Sequence, residues 1–269
     1  MDLTNIIISV SLTLLEKAWQ KHKASRWKNR RIFYINSSIN KRFEQREVSM
    51  QCRDFDDYKV LEINSRSLDR RRKIKRHFLK MKKGLYQIYR NLGNNADVMY
   101  AGYPSVPFAI YDGFSLGDNR SYTFWETQKD REKTYQISFK KKRIGKRSRF
   151  EIAGKTDEVN LLIESSYGIN DDSIKCRNLP TFRFTTRCED KITAEYLNSV
   201  YYWVLDLLDS CSEAGVKTVH LYSSSRPCVS FIVGTAIQRR HPRVIAYEYK
   251  QGKYTWGIPI QEESITEGE

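Results

Sequence analysis

Metal-binding and disulfide chemistry have little to work with in this sequence. Its five cysteines, Cys52, Cys176, Cys188, Cys211 and Cys228, are odd in number and include no C-x-x-C pair, which argues against a disulfide framework and a zinc knuckle alike. A reducing cytosol suits them. The four histidines, His22, His77, His220 and His241, are scattered, none at ligand spacing from another or from a cysteine, so no metal site is predicted. Long hydrophobic runs are missing too. The most apolar stretch, Leu3 to Leu15, is interrupted by Thr4, Asn5, Ser9, Ser11 and Thr13 and is shorter than the roughly 20 residues a membrane-spanning helix needs. It lacks the basic start and small-residue cleavage site of a secretory signal. Continued through Glu16, Lys17 and Trp19, it reads as a helix docking on its own domain, on a partner chain or on a membrane surface.

Catalytic signatures are also absent. There is no G-x-x-x-x-G-K-[ST] phosphate loop, and the serines at 223 to 225 stand in no G-x-S-x-G elbow. Glu248-Tyr249-Lys250 is one piece of a metal-dependent nuclease, but the acids upstream, Asp206, Asp209 and Glu213, fall on a predicted helix rather than on a neighbouring strand. The chain is therefore expected not to be an enzyme.

What is present is ample apolar surface and positive charge. Of 269 residues, 40% are apolar and 13% aromatic, enough for one compact two-lobed body. The net charge of +15 implies an anionic partner: nucleic acid, nucleotide phosphates or an acidic membrane. Arg66 to Lys83 holds ten Lys/Arg against the single acid Asp69, and Lys140 to Arg149, read as a hairpin, holds seven with no acid.

Residues 1–66 read as an irregular leader with strand-like runs at Arg31 to Ile35 and Lys59 to Ile63, and with no assignable fold. A helix follows from Ser67 to Leu92, because Phe78, Met81, Leu85, Ile88, Tyr89 and Leu92 recur at helical spacing. Next come an apolar run ending at Ala101, the loop Gly102-Tyr103-Pro104-Ser105, a helix and an aromatic strand at Ser121 to Glu126. The same order returns later: a helix through Leu197, Val200, Val204 and Leu208, capped by Asp190 and ended by Gly215; a strand to Tyr222; the loop Ser223-Ser224-Ser225-Arg226; a helix opened by Pro227; a strand at Val244 to Tyr249. Matching Tyr100 with Tyr222, Pro107 with Pro227 and Gly113 with Gly234 requires a gap in the loop and another in the helix. Thr134 to Phe139, Arg149 to Ala153, Val159 to Glu164 and Thr181 to Thr185 look like further strands. This alternation predicts an α/β body with mostly parallel sheets.

Ligands of such sheets bind at the carboxyl ends of strands, where helix N-termini hold phosphates. The two loops are the candidates. Gly102 permits close backbone approach and Ser105 offers a hydroxyl cap, with Pro104 between; Ser223, Ser224, Ser225 and Arg226 offer hydroxyls and a guanidinium suited to phosphate. Tyr103 is the best-placed stacking residue, Tyr249 a further one, and Trp125 suits core and site equally.

Val219-His220-Leu221-Tyr222-Ser223-Ser224-Ser225-Arg226-Pro227-Cys228 through Gly234 to Val244-Ile245-Ala246-Tyr247-Glu248-Tyr249 resembles the second half of SAVED domains. Met99-Tyr100-Ala101-Gly102-Tyr103 through Pro107-Phe108, Gly113 and Leu116-Gly117 is similar to their first half. The resemblance implies two fused CARF-like, Rossmann-like units with additional strands, preceded by the leader: a sensor domain over 67–262 with halves of about 67–165 and 166–262, and a disordered tail at 263–269. It implies a bacterial cytoplasmic sensor of the CBASS or type III CRISPR kind. The expected ligand is a cyclic oligonucleotide (cyclic tri- or tetra-adenylate, or a mixed cyclic trinucleotide) held between the halves, with no cofactor. Binding would trigger self-assembly or activate an effector, which is either a separate protein docking through Leu3 to Trp19 or a module reduced to the leader. Three alternatives stay open: a nonspecific nucleic-acid binder using the two basic runs, a membrane-directed effector, and a hydrolase of cyclic nucleotides.

Overall fold

A computed structural model describes residues 31–37, 45–52, 58–64, 68, 70–91, 97–117, 121–127, 134–143, 145–152, 154–188 and 190–262. The expected docking helix at Leu3 to Trp19 and the tail at 263–269 lie outside them.

Two five-stranded sheets make up the body. The first unit runs β1 (Arg31–Ser37), α1 (Gln45–Gln51), β2 (Tyr58–Asn64), α2 (Arg71–Asn91), β3 (Val98–Ala101), α3 (Val106–Leu116), β4 (Tyr122–Thr127) and β5 (Thr134–Phe139). The second runs β6 (Glu158–Glu164), a 3-10 turn at Asp171–Ser173, β7 (Thr181–Phe184), α4 (Ala194–Glu213), β8 (Thr218–Ser224), α5 (Pro227–Ala236), β9 (Arg243–Lys250) and β10 (Lys253–Pro259). Strand order is β2-β1-β3-β4-β5 in one sheet and β7-β6-β8-β9-β10 in the other. Four strands of each are parallel, and the last pairs antiparallel. The duplication is therefore complete, strand for strand.

This moves two expected boundaries. β1 and β2 lie within the 1–66 leader, yet β1 is inserted between β2 and β3, so the first unit takes in residues 31–64. Likewise β6 belongs to the second sheet, so the second unit starts at Glu158 rather than at 166. No strand forms at 149–152, the described part of the run expected at Arg149 to Ala153; Phe150 N–H instead donates to Ser210 Oγ at 3.2 Å. The N-cap of α4 is Thr193, whose hydroxyl accepts from Tyr196 N–H at 3.2 Å, and not Asp190.

The described residues between Lys140 and Arg149 form no hairpin but a strap laid along α4. Lys142 N–H donates to Asn198, Ser148 N–H to Asp206, and Arg143 makes two bonds of 2.6 and 3.2 Å to the buried Asp206 carboxylate. Arg147 reaches Asp209 and Glu213. A run read as free positive charge is thus partly spent on the acids of the helix beneath it.

The units interlock through their middle helices. α3 and α5 cross at Gly113 and Gly234: a methyl group on Gly113 would overlap the Phe231 carbonyl oxygen, and one on Gly234 the Ile110 carbonyl oxygen. Only glycine lets the backbones meet this closely. Phe231 of α5 then packs among Tyr100, Tyr122 and Phe124 of the first sheet, at ring separations of 4.5, 4.9 and 5.3 Å, while Phe108 of α3 reaches Trp256 of the second. One apolar core runs through both units.

Candidate functional site

The crossing places both helix starts beside the strand ends of the opposite unit. Glu126, near the end of β4, accepts the N–H of Cys228 at 2.8 Å; Glu248, near the end of β9, accepts the N–H of Val106 at 3.1 Å. The two contacts are counterparts. The glycine crossing, where Gly113 meets Phe231 and Gly234 meets Ile110, sets the helix alignment as Val106 with Pro227, without a gap, instead of Pro107 with Pro227. Because Pro227 has no N–H, Glu126 is served by the next residue along. Burial drives both carboxyl groups upward, Glu248 to about 7, against the pull of the hydrogen bonds each accepts.

The two helix starts are therefore not vacant phosphate seats. Each already holds a carboxylate, the group that the helix dipole favours there. Ser105 makes no side-chain cap to its own helix; its hydroxyl bonds Glu248 instead.

The expected site residues divide into framework and surface. Gly102, at φ +120°, is needed because a side chain there would overlap the Asn36 carbonyl, and Pro104 is buried beside it. Trp125 is core: it is 3% exposed, packs with Phe33, Ile35 and Met99, and points its indole N–H at Met99 Sδ at 3.2 Å. Tyr103 is half-buried, with its hydroxyl 2.8 Å from Thr127 Oγ1. In the second loop, Ser223, Ser225 and Ser230 form a chain of hydroxyl contacts of 2.7 Å, and Ser224 accepts from Tyr167 N–H. These serines brace the loop.

What faces solvent is Arg226 and aromatic surface. Arg226 is half-buried and donates to Tyr135 OH of the first unit and to the Asp190 carbonyl, both at 3.1 Å. Tyr249 is 54% exposed at the end of β9, and Tyr167, which the sequence reading passed over, is 59% exposed beside the serine loop. Glu126 and Glu248 were passed over as caps as well. Their signal was an aromatic residue followed by glutamate, Trp125-Glu126 and Tyr247-Glu248, at the end of the strand after each crossing helix.

Among the described residues, cavities of about 570, 520 and 420 Å³ lie away from the two loops. One is at the C-terminal turns of α3 and α5, and two are along α4 and the strap; none is lined by residues of the two loops. Among the described residues, no helix is long and apolar enough to cross a membrane.

A buried polar knot supports the first unit. Asp112, fully buried on α3, accepts from Tyr34 OH at 2.8 Å, Asn36 Nδ2 at 2.7 Å and Tyr100 OH at 2.9 Å. His77 Nε2 lies 3.0 Å from Asn36 Oδ1. Desolvation lifts Asp112 to about 7, opposed by its three donors, and lowers His77 to about 4. The counterpart of Asp112 in α5 is the apolar Val233, so the second unit has no such group at this position.

Two interlocked, mostly parallel α/β units with their helix starts against each other's strand ends define a duplicated Rossmann-like module of the CARF kind. The sequence agrees: residues 81–260 match the model of the SAVED family, the SMODS-associated and fused to various effectors sensor domain, and the chain belongs to that family. Among solved structures it is similar to the Acinetobacter baumannii Cap4 SAVED/CARF-domain containing receptor with the cyclic trinucleotide 2'3'3'-cAAA, at 16% identity and a TM-score of 0.56, covering 86% of this chain and 51% of the receptor. The same receptor with 3'3'3'-cAAA matches at 17% identity and a TM-score of 0.56, with the same coverage. The Moraxella osloensis Cap4 SAVED/CARF-domain containing receptor matches at 15% identity and a TM-score of 0.52, covering 85% of this chain and 49% of that one. The chain spans about half the length of these receptors. No curated protein matches it in sequence.

Proposed function

We propose that the chain is a sensor for a cyclic tri- or tetranucleotide, held where the loop of each unit meets the strand ends of the other. The observation that carries this is the reciprocal pair of contacts, Glu126 to Cys228 and Glu248 to Val106, which gathers two equivalent sets of loops about one pseudo-twofold. A ligand with repeated nucleotide units suits such a site better than a mononucleotide. The Cap4 receptors of the same fold, solved with cyclic trinucleotides, support the ligand class.

In this reading the helix starts are closed by glutamate, so phosphate falls to Arg226 and bases stack on Tyr249, Tyr167 and Tyr103. The chain acts as a binding module: the ligand leaves unaltered, and occupancy shifts the chain toward self-assembly or toward a separate effector. Calorimetry against cyclic di-, tri- and tetranucleotides, including the two cAAA isomers, is the test. Arg226→Ala and Tyr249→Ala are each expected to weaken binding about tenfold or more, and mass spectrometry should recover the ligand intact. Failure to bind any member of the panel sinks the reading; recovery of a hydrolysed ligand sinks its non-enzymatic part.

A further inference from the structure

The two long helices that hold equivalent places in the two units carry opposite charge. α2 has nine Lys/Arg and no acid, whereas α4 has four acids and no Lys/Arg. On α4 three of those acids, Asp206, Asp209 and Glu213, are engaged by the arginines of the strap. α2 is different. Ile74, Phe78, Met81, Leu85 and Ile88 turn inward, which leaves Arg72, Arg76, Leu79, Lys83 and Tyr86 as one stripe at intervals of three and four residues. All five are exposed, Leu79 by 66% and Tyr86 by 63%.

At 1.5 Å per residue the stripe is about 21 Å long. Its Tyr86 end opens on the cavity of about 570 Å³, whose walls include Lys82, Tyr86, Ser115, Gln238 and Arg239. The chemistry of the stripe is cations one and then two helical turns apart, an exposed aromatic ring, and a pocket with two further cations and polar edges. Cations track a phosphate chain, and an aromatic beside a pocket takes an unpaired base; a duplex, whose bases are stacked inside, makes no use of the second feature.

We propose that the exposed stripe of α2 and the adjoining cavity form a second nucleic-acid site, specific for single strands, with phosphates along Arg72, Arg76 and Lys83 and a base on Tyr86 at the cavity mouth. The site lies outside the two loops and does not depend on their ligand. It gives the α2 half of the positive charge a job that the strap, whose Arg143 and Arg147 are engaged by α4, does not share.

The test is fluorescence anisotropy with a labelled single strand and with the duplex of the same sequence, titrated with the full chain between about 50 and 200 mM salt. The single strand is expected to bind more tightly, with a slope of log affinity against log salt near −2, as about three phosphate contacts give. The triple variant Arg72→Gln, Arg76→Gln, Lys83→Gln should flatten that slope. Tyr86→Ala should weaken the single strand about tenfold and leave the duplex unchanged. Both variants should bind the loop ligand as the wild type does, so failure of that ligand to bind at all leaves this result standing. Equal affinity for strand and duplex with no effect of Tyr86→Ala would reduce the site to bare charge attraction and overturn the proposal. Absence of binding at the lowest salt would also overturn it, as would loss of binding on neutralising Lys140, Lys141 and Lys146 instead.

Discussion

Single side chains decide this fold at a few points where nothing else fits. Gly113 and Gly234 are the clearest, since any Cβ at either would strike a carbonyl of the facing helix. Gly113→Ala or Gly234→Ala is expected to cost about 3 kcal/mol by forcing the helices apart, which for a chain of this size lowers the melting temperature by about 6–12 °C. Gly154→Ala, where a Cβ meets open space but φ is +73°, should cost only about 1 kcal/mol. Equal losses at all three positions would deny the crossing its role. Asp112 makes a prediction about pH. Its carboxyl is lifted from 3.8 to about 7 in the folded protein, so over that window the folded state holds a proton that the unfolded state has lost, and its contribution to stability falls as pH rises. His77, lowered from 6.5 to about 4, acts in the opposite sense: the unfolded state binds the proton, and stability rises with pH between about 4 and 6.5. Asp112→Asn removes the falling branch. Its melting temperature relative to wild type should climb from pH 4 to pH 7; a constant difference would mean that Asp112 does not titrate in that window.

At the scale of elements, the strap and the crossed caps show why some of the structure was legible in the sequence and some was not. Helices α2 and α4, the strand-loop-helix order and the pairing of Gly113 with Gly234 follow from local periodicity and punctuation, which the sequence displays directly. The pairing of β1 with β3 does not, because a parallel pair separated by some 60 residues has no hairpin turn to announce it. Arg31–Ser37 therefore read as part of a leader. The caps are less visible still: Glu248 and Val106 are 142 residues apart, and Glu126 and Cys228 are 102 apart. The loop serines misled in a related way, since a cluster of hydroxyls reads as a ligand site until its members are seen bonding one another. From sequence alone the strap reads as a hairpin, because its partner is a helix encoded some 50 residues later. Arg143→Ala leaves the buried Asp206 with Ser148 N–H and a distant Arg147, and should cost about 2 kcal/mol. The measurement is urea unfolding of Arg143→Ala beside Lys146→Ala, whose effect should stay within about 0.5 kcal/mol.

Taken as a whole, the molecule is two copies of one unit that cannot be separated without opening the core. Each middle helix packs on the other unit's sheet, with Phe231 among Tyr100, Tyr122 and Phe124 and Phe108 against Trp256, and each helix start is capped from the opposite side. The two units should therefore unfold as one body rather than in sequence. Scanning calorimetry is expected to show a single transition, with calorimetric and van't Hoff enthalpies in agreement. The stronger test removes one unit. Residues 156–262 expressed alone would expose the face of α5 that carries Phe231 and would leave Glu248 without its Val106 partner. The fragment should retain far-UV helical signal, lose near-UV signal and bind a hydrophobic dye, as a loosened core does. If it instead melts cooperatively with intact near-UV signal, the interlock is ornamental and the two units are independent domains. If it behaves as expected, the two units form one cooperative frame held at the glycine crossing and at the caps of Glu126 and Glu248.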